Sequence, residues 1–80
     1  MSGSDLGEIE AVVRELLLAH LEPPARNDAP LELPSLSLVS FAEELEQEMG
    51  FIVAARDLVP ENFATIGSIV EYAARRLGGA

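Results

Sequence analysis

Four of the five prolines in this 80-residue chain fall between Pro23 and Pro34. Proline lacks the backbone N–H that a helix interior or a sheet ladder needs. The stretch from residue 22 to residue 34 is therefore expected to be a loop, and Asn27 and Asp28 add turn-forming side chains inside it. It is long for a compact domain, and loops of that length often carry function. Leu31 and Leu33 are the residues expected to plug it against a core.

On either side of the loop the apolar residues recur at helical spacing. Leu6, Ile9, Val13, Leu16 and Leu17 predict a first helix over about residues 5–21. Asp5 followed by Glu8 resembles a capping box at its start, and Pro23-Pro24 is the expected stop. His20, the only histidine, sits near that end, where a cation suits the helix dipole. After the loop, Leu38, Phe41, Ala42, Leu45 and Met49 predict a second helix over residues 35–49 that ends at Gly50. Residues 51–64 are less regular, with one short helix expected over about 57–63. Thr65 is a plausible N-cap for a last helix over about 66–77. Its stripe is Ile66, Ile69, Val70, Ala73 and Leu77, with Arg75 and Arg76 in the last turn and Gly78-Gly79 as the end. No segment alternates as a half-buried strand would, and no Asn-Gly hairpin signal is present. The expected fold class is all-α: a four-helix bundle of three main helices and one short one, with a long first loop. Residues 1–80 are read as a single domain, without internal repeats or low-complexity tracts.

Composition narrows the function. Hydrophobic residues make up 49% of the chain, enough for a globular fold, but three Phe and one Tyr leave the core mostly aliphatic. Eighty residues build one modest core, and a deep catalytic cleft is not expected. Without cysteine there is no disulfide, thiolate metal site or thiol nucleophile, which suits a reducing compartment. A lone histidine gives no credible Ser-His-Asp set, so a non-catalytic protein is expected. The carboxylates lack the spacing of a calcium-binding loop, and no metal is expected. A net charge of −9 argues against nucleic acid and favours basic surfaces on other proteins. No apolar run approaches a membrane span, and the start Met1-Ser2-Gly3-Ser4-Asp5 lacks the basic beginning of a signal peptide. A cytoplasmic, free-standing monomer is the expectation.

The second helix carries the candidate site. With residues about 100° apart, Leu38, Ala42, Leu45 and Met49 share one side. Leu36 then points almost directly away from the core, Val39 sits on the border, and Ser40, Glu43 and Gln47 share the outward face. Ser35 stands at the beginning of that face, with Ser37 nearby. Glu43, Glu44, Glu46 and Glu48 add four negative charges and no positive one. One reading is an N-cap serine on a solvated acidic helix. The other is a docking surface: an apolar spot beside a terminal serine, then an acidic ridge. The free N–H groups of a helix start also favour an anion such as a phosphate diester.

The segment Pro34-Ser35-Leu36-Ser37-Leu38-Val39-Ser40-Phe41-Ala42-Glu43-Glu44-Leu45-Glu46-Gln47-Glu48-Met49-Gly50-Phe51 resembles the second helix of acyl and peptidyl carrier proteins. The family pattern there is Asp-Ser-Leu, apolar positions, then a Leu-Glu-Glu-Glu-Phe-like stretch. Ser35 takes the place of the serine that receives 4′-phosphopantetheine, and Leu36 that of the following leucine. Val39, Phe41, Ala42, Leu45 and Met49 take the apolar positions without a gap. Asp57-Leu58-Val59-Pro60-Glu61-Asn62-Phe63-Ala64-Thr65-Ile66 is similar to the third-helix region of stand-alone carriers of secondary metabolism. Pro34 departs from the pattern, standing where the family has an aspartate that helps cap the helix and helps the modifying enzyme recognise it. Proline can fix the entry angle into a helix, and Ser35 is the residue expected to take over the cap.

The resemblance implies an acyl-carrier-like bundle with a covalent 4′-phosphopantetheine arm, taken from coenzyme A, on Ser35. It implies three kinds of partner: a phosphopantetheinyl transferase, an acyl- or aminoacyl-loading ligase or acyltransferase, and downstream synthase enzymes with basic docking patches. The pathway implied is polyketide or nonribosomal peptide assembly, with the cargo held as a thioester. Pro34 argues against a housekeeping fatty-acid role. Partner-facing residues are then Leu36 and Val39 for apolar contact, with Ser40, Glu43, Glu46 and Gln47 along the polar ridge. The alternative is an unmodified acidic helical interaction module that uses the same face.

Overall fold

The computed structural model describes residues 6–78. The expected cap at Asp5 and the closing Gly79 lie outside them. Among the described residues the chain is a small all-α bundle of four helices: α1 Leu6–Leu17, α2 Ser35–Met49, α3 Pro60–Phe63 and α4 Ile66–Gly78. A single 3₁₀ turn, Ala55–Asp57, precedes α3. The described residues contain no strand, only an isolated bridge between Pro30 and Thr65.

Helix ends follow local chemistry. Proline at the first position of α3 lacks only an N–H that a helix start leaves unpaired anyway. At the start of α4, the Ser68 N–H donates to Thr65 Oγ1 at 3.0 Å while the Thr65 N–H donates to Ser68 Oγ at 3.1 Å. This is a reciprocal capping box in which serine takes the usual place of Glu or Gln. α2 ends at Gly50, whose φ of 83° is left-handed and whose N–H reaches the Glu46 carbonyl at 2.8 Å.

Three expected boundaries move. α1 ends at Leu17, short of the expected Leu21. The N–H groups of Leu18, Ala19 and His20 each bond the carbonyl three residues back, tightening the chain into a 3₁₀-like turn. The prolines therefore do not terminate the helix directly. The expected short helix over 57–63 divides into the 3₁₀ turn and α3, because Leu58 and Val59 leave helical geometry between them. α4 runs one residue beyond the expected Leu77.

The core joins Ile9, Val13 and Leu17 of α1, Phe41, Ala42 and Leu45 of α2, Phe63 of α3, and Ile66, Ile69, Val70, Tyr72 and Ala73 of α4. Leu31 and Leu33 pack against it from the first loop, as expected, together with Leu16, Leu38 and Met49. Leu6 and Leu77 do not join it. Each lies at or next to the end of its helix and is exposed. The aromatic residues form a connected chain. Phe41 meets Phe63 edge-on at 6.4 Å between centroids, Phe63 meets Tyr72 at 5.4 Å, and Tyr72 meets Phe51 at 6.0 Å. All three phenylalanines and the one tyrosine are thus in one network, so a core that looked aliphatic by count has an aromatic spine.

The first loop is held from both sides. Arg14 donates from Nε to Glu10 at 3.0 Å, from Nη1 to the Pro24 carbonyl at 2.7 Å, and from Nη2 to the Ala25 carbonyl at 3.1 Å and to Asn27 Oδ1. On the far side, the Gly67 N–H donates to the Asn27 carbonyl at 2.9 Å and the Leu31 N–H to the Ala64 carbonyl at 2.7 Å. A Cβ on residue 67 would stand 3.3 Å from that Asn27 oxygen, so glycine permits the close approach.

Candidate functional site

The loop delivers the chain to α2 at Pro34, which occupies the N-cap position with φ −59° and ψ 158°. No side chain caps this helix start. The expectation that Ser35 takes over the cap is corrected: Ser35 is the first helical residue, and its hydroxyl bonds no other described residue. A cap must stand before the helix with extended backbone, and proline, already fixed near that φ, holds that place. The first intrahelical bond runs from the Leu38 N–H to the Pro34 carbonyl at 2.8 Å. The N–H groups of Ser35, Leu36 and Ser37 precede it and point out of the helix start. Ser35 is exposed, so an uncommitted hydroxyl stands beside donors suited to an anion.

The rest of the face divides by its distance from the core stripe. Leu36 is 84% exposed and Val39 44% exposed. Leaving an apolar side chain as large as leucine that far in water gains nothing for the fold. Ser40, Glu43 and Gln47 are exposed beside them. Glu46 differs. It is half-buried, and its carboxylate accepts the Val53 N–H at 2.6 Å, tying α2 to the segment that follows Gly50. One of its oxygens is therefore committed to the fold, whereas Glu43 and Gln47 bond no other described residue.

Glu44 is also engaged. His20 Nε2 lies 3.1 Å from Glu44 Oε1, and the imidazole meets Phe41 edge-on at 6.3 Å. His20 thus bridges the end of α1 to α2. Its expected interaction with the helix dipole was a local reading that could not see this partner. Glu46 and Glu44 flank the outward ridge on opposite sides, so the free negative charge along its crest is narrower than a count of four glutamates suggests.

Two exposed apolar residues went unnoticed in the sequence: Leu18, 61% exposed in the turn that follows α1, and Ile52. Ile52, two residues past Gly50, is 71% exposed. It lies in an irregular segment where no periodicity assigns a face. Beyond it, Asp57 gathers three contacts. Its Oδ2 accepts from the Tyr72 hydroxyl at 2.8 Å and meets Arg76 Nη1 at 3.5 Å, and its carbonyl accepts from the Asn62 side chain at 2.9 Å. Burial, then the bond to Asp57, pushes the Tyr72 hydroxyl up to about 12. This cluster ties the 3₁₀ turn to α3 and α4 and has no free nucleophile.

Among the described residues no group of His, Asp and Glu is arranged to hold a metal ion, and no helix is long and apolar enough to cross a membrane. The site is thus a surface: a free serine hydroxyl at a helix start, an apolar pair beside it, and a polar ridge of which Glu43 and Gln47 are uncommitted. Comparison with protein-family models, with curated proteins and with solved structures returns no match for this chain.

Proposed function

We propose that this protein is a carrier that bears 4′-phosphopantetheine on Ser35 and presents an acyl or aminoacyl unit to the enzymes of a polyketide or nonribosomal peptide pathway. The observation that carries the reading is the Ser35 hydroxyl, exposed and bonded to no other described residue at the start of α2, with the outward Leu36 immediately after it. The surroundings fit such a group. Ser35 is exposed, and the unpaired N–H groups of the first turn suit a phosphate diester.

Attachment forms a bond from the Ser35 oxygen to a phosphorus of the coenzyme A pyrophosphate. The bond from that phosphorus to the nucleotide bisphosphate breaks, and the hydroxyl proton passes to the transferase. When bound, the arm supplies a flexible thiol that holds cargo as a thioester. The chain's own residues handle recognition. Leu36 and Val39 offer apolar contact to a transferase, a loading ligase or acyltransferase, and downstream synthase enzymes. Ser40, Glu43 and Gln47, with the remaining oxygen of Glu46, face their Lys- and Arg-rich patches. Charge of this kind guides encounter and specificity more than affinity. Binding is weak and salt-sensitive, as a carrier that must leave each partner requires. No catalytic role belongs to the chain itself, and its place of work is the cytoplasm as a monomer.

The rival reading is an unmodified interaction module, favoured by one observation: Pro34, which offers no side-chain cap, occupies the position of the carrier family's aspartate. Intact mass after incubation with coenzyme A and a broad-specificity phosphopantetheinyl transferase separates the two. The carrier gains one phosphopantetheine and Ser35→Ala gains none. An unmodified wild type, with the native host's transferase as well, would leave the interaction module.

A further inference from the structure

A second surface lies between α1 and α2. A groove of about 330 Å³ opens there, lined by Ala11, Val12, Glu15 and Leu16 of α1 and by Glu48 of α2. Val12 and Leu16 are half-buried and Ala11 is exposed, so the floor is aliphatic. Glu15 and Glu48 are exposed at the rim. Most other carboxylates near α1 and α2 are engaged: Glu10 with Arg14, Glu44 with His20, Glu46 with the Val53 N–H. Glu15 and Glu48 have no such partner among the described residues. The groove shares no residue with the Ser35 face, and Glu48 lies about a third of a turn around α2 from Leu36.

We propose that this groove docks a cationic amphipathic helix of a partner protein. An aliphatic side chain enters over Val12 and Leu16, and Lys or Arg on its flanks meet Glu15 and Glu48. Two neighbouring helices with an apolar furrow between them fit a third helix laid along it. The unpaired rim charges select its sign, and they do so within a chain of net charge −9. That same charge disfavours a second copy as the occupant, because like surfaces repel. This assignment does not depend on modification of Ser35.

The test uses the isotope-labelled full chain, titrated with a synthetic helical peptide carrying a leucine stripe flanked by lysines. Amide shifts are expected to concentrate on Ala11, Val12, Glu15, Leu16 and Glu48 and to leave Ser35, Leu36 and Val39 in place. The double variant Glu15→Lys/Glu48→Lys, whose fold is checked by circular dichroism, is expected to weaken binding by about tenfold or more. A peptide of the same composition with the stripe scrambled should lose the localised shifts. The proposal is overturned if the shifts fall on Leu36 and Glu43 instead, or if the double variant or the scrambled peptide performs as well as the original. It is also overturned if the protein alone shows concentration-dependent shifts at the groove, which would make a second copy the occupant.

Discussion

Gly50 shows how much one backbone angle decides. Its φ of 83° is costly for any residue with a Cβ, yet a Cβ there would meet nothing within 4 Å. Gly50→Ala is therefore a backbone change with no steric component. It is expected to lower stability by about 1–2 kcal/mol in urea unfolding, the cost of a left-handed alanine. Tyr72 offers a second residue-scale measurement, because it is the only tyrosine. Its hydroxyl titrates at about 12 against an ordinary 10.0. The sign follows from the direction. The stabilisation is fully present below pH 10, where both folded and unfolded chains keep the proton. It is lost as pH rises toward about 12, because the unfolded chain ionises first. Tyrosinate absorbance in the native protein should rise near pH 12 and shift acidward in Asp57→Asn, which removes one cause and leaves the burial. A native transition near 10 would mean that neither the burial of the hydroxyl nor the Asp57 contact persists in solution.

At the scale of elements, the first loop is the part with least regular structure and it depends on Arg14. That side chain satisfies two loop carbonyls and Asn27 while paired with Glu10. Removing it leaves those carbonyls to find water, and bonds of this charged kind each contribute about 1.5–3 kcal/mol. Arg14 is partly exposed, so Arg14→Leu is expected to cost about 1–3 kcal/mol in total. Hydrogen exchange locates the effect. The Gly67 and Leu31 N–H groups, which bond the Asn27 and Ala64 carbonyls, should exchange faster in the variant while the α2 interior stays protected. The bonds from Arg14 and Asn27 also hold the Glu10 carboxyl below its ordinary 4.5. Its contribution is present above pH 4.5 and fades as pH falls through the lower folded value, and Arg14→Leu should return Glu10 toward 4.5.

For the molecule as a whole, α2 has two faces with opposite consequences. Phe41 is fully buried and touches both His20 and Phe63. Phe41→Ala is expected to cost about 3–5 kcal/mol, a large share of what an 80-residue domain possesses. Leu36, on the opposite side, is 84% exposed. Leu36→Asp should leave the unfolding midpoint within about 0.5 kcal/mol of wild type while impairing modification at Ser35 by the transferase. A large loss of stability in Leu36→Asp would mean that the side chain is packed in solution, and the docking role would fail with it.

Much of this division was legible in the sequence because it depends on periodicity alone. Helical spacing placed Phe41, Ala42 and Leu45 inward and Leu36 outward, and both ends of α2 fell where Pro34 and Gly50 mark them. Thr65 was readable as a cap from its residue type and its place before the stripe, and the Ser68 that completes the box is only three residues away. What lay beyond the sequence involves residues brought together from far apart. Glu46 turning to the Val53 N–H, His20 reaching Glu44, Arg14 gathering the loop, and Tyr72 closing the aromatic spine with Phe63 and Phe51 are all of this kind. The end of α1 belongs with them: helix propensity is continuous through Leu21, yet the chain tightens after Leu17 and His20 meets α2. Local pattern determines which side of a helix is apolar. Only the packing of one helix on another decides which polar side chains are used to hold the fold and which are left free to meet a partner.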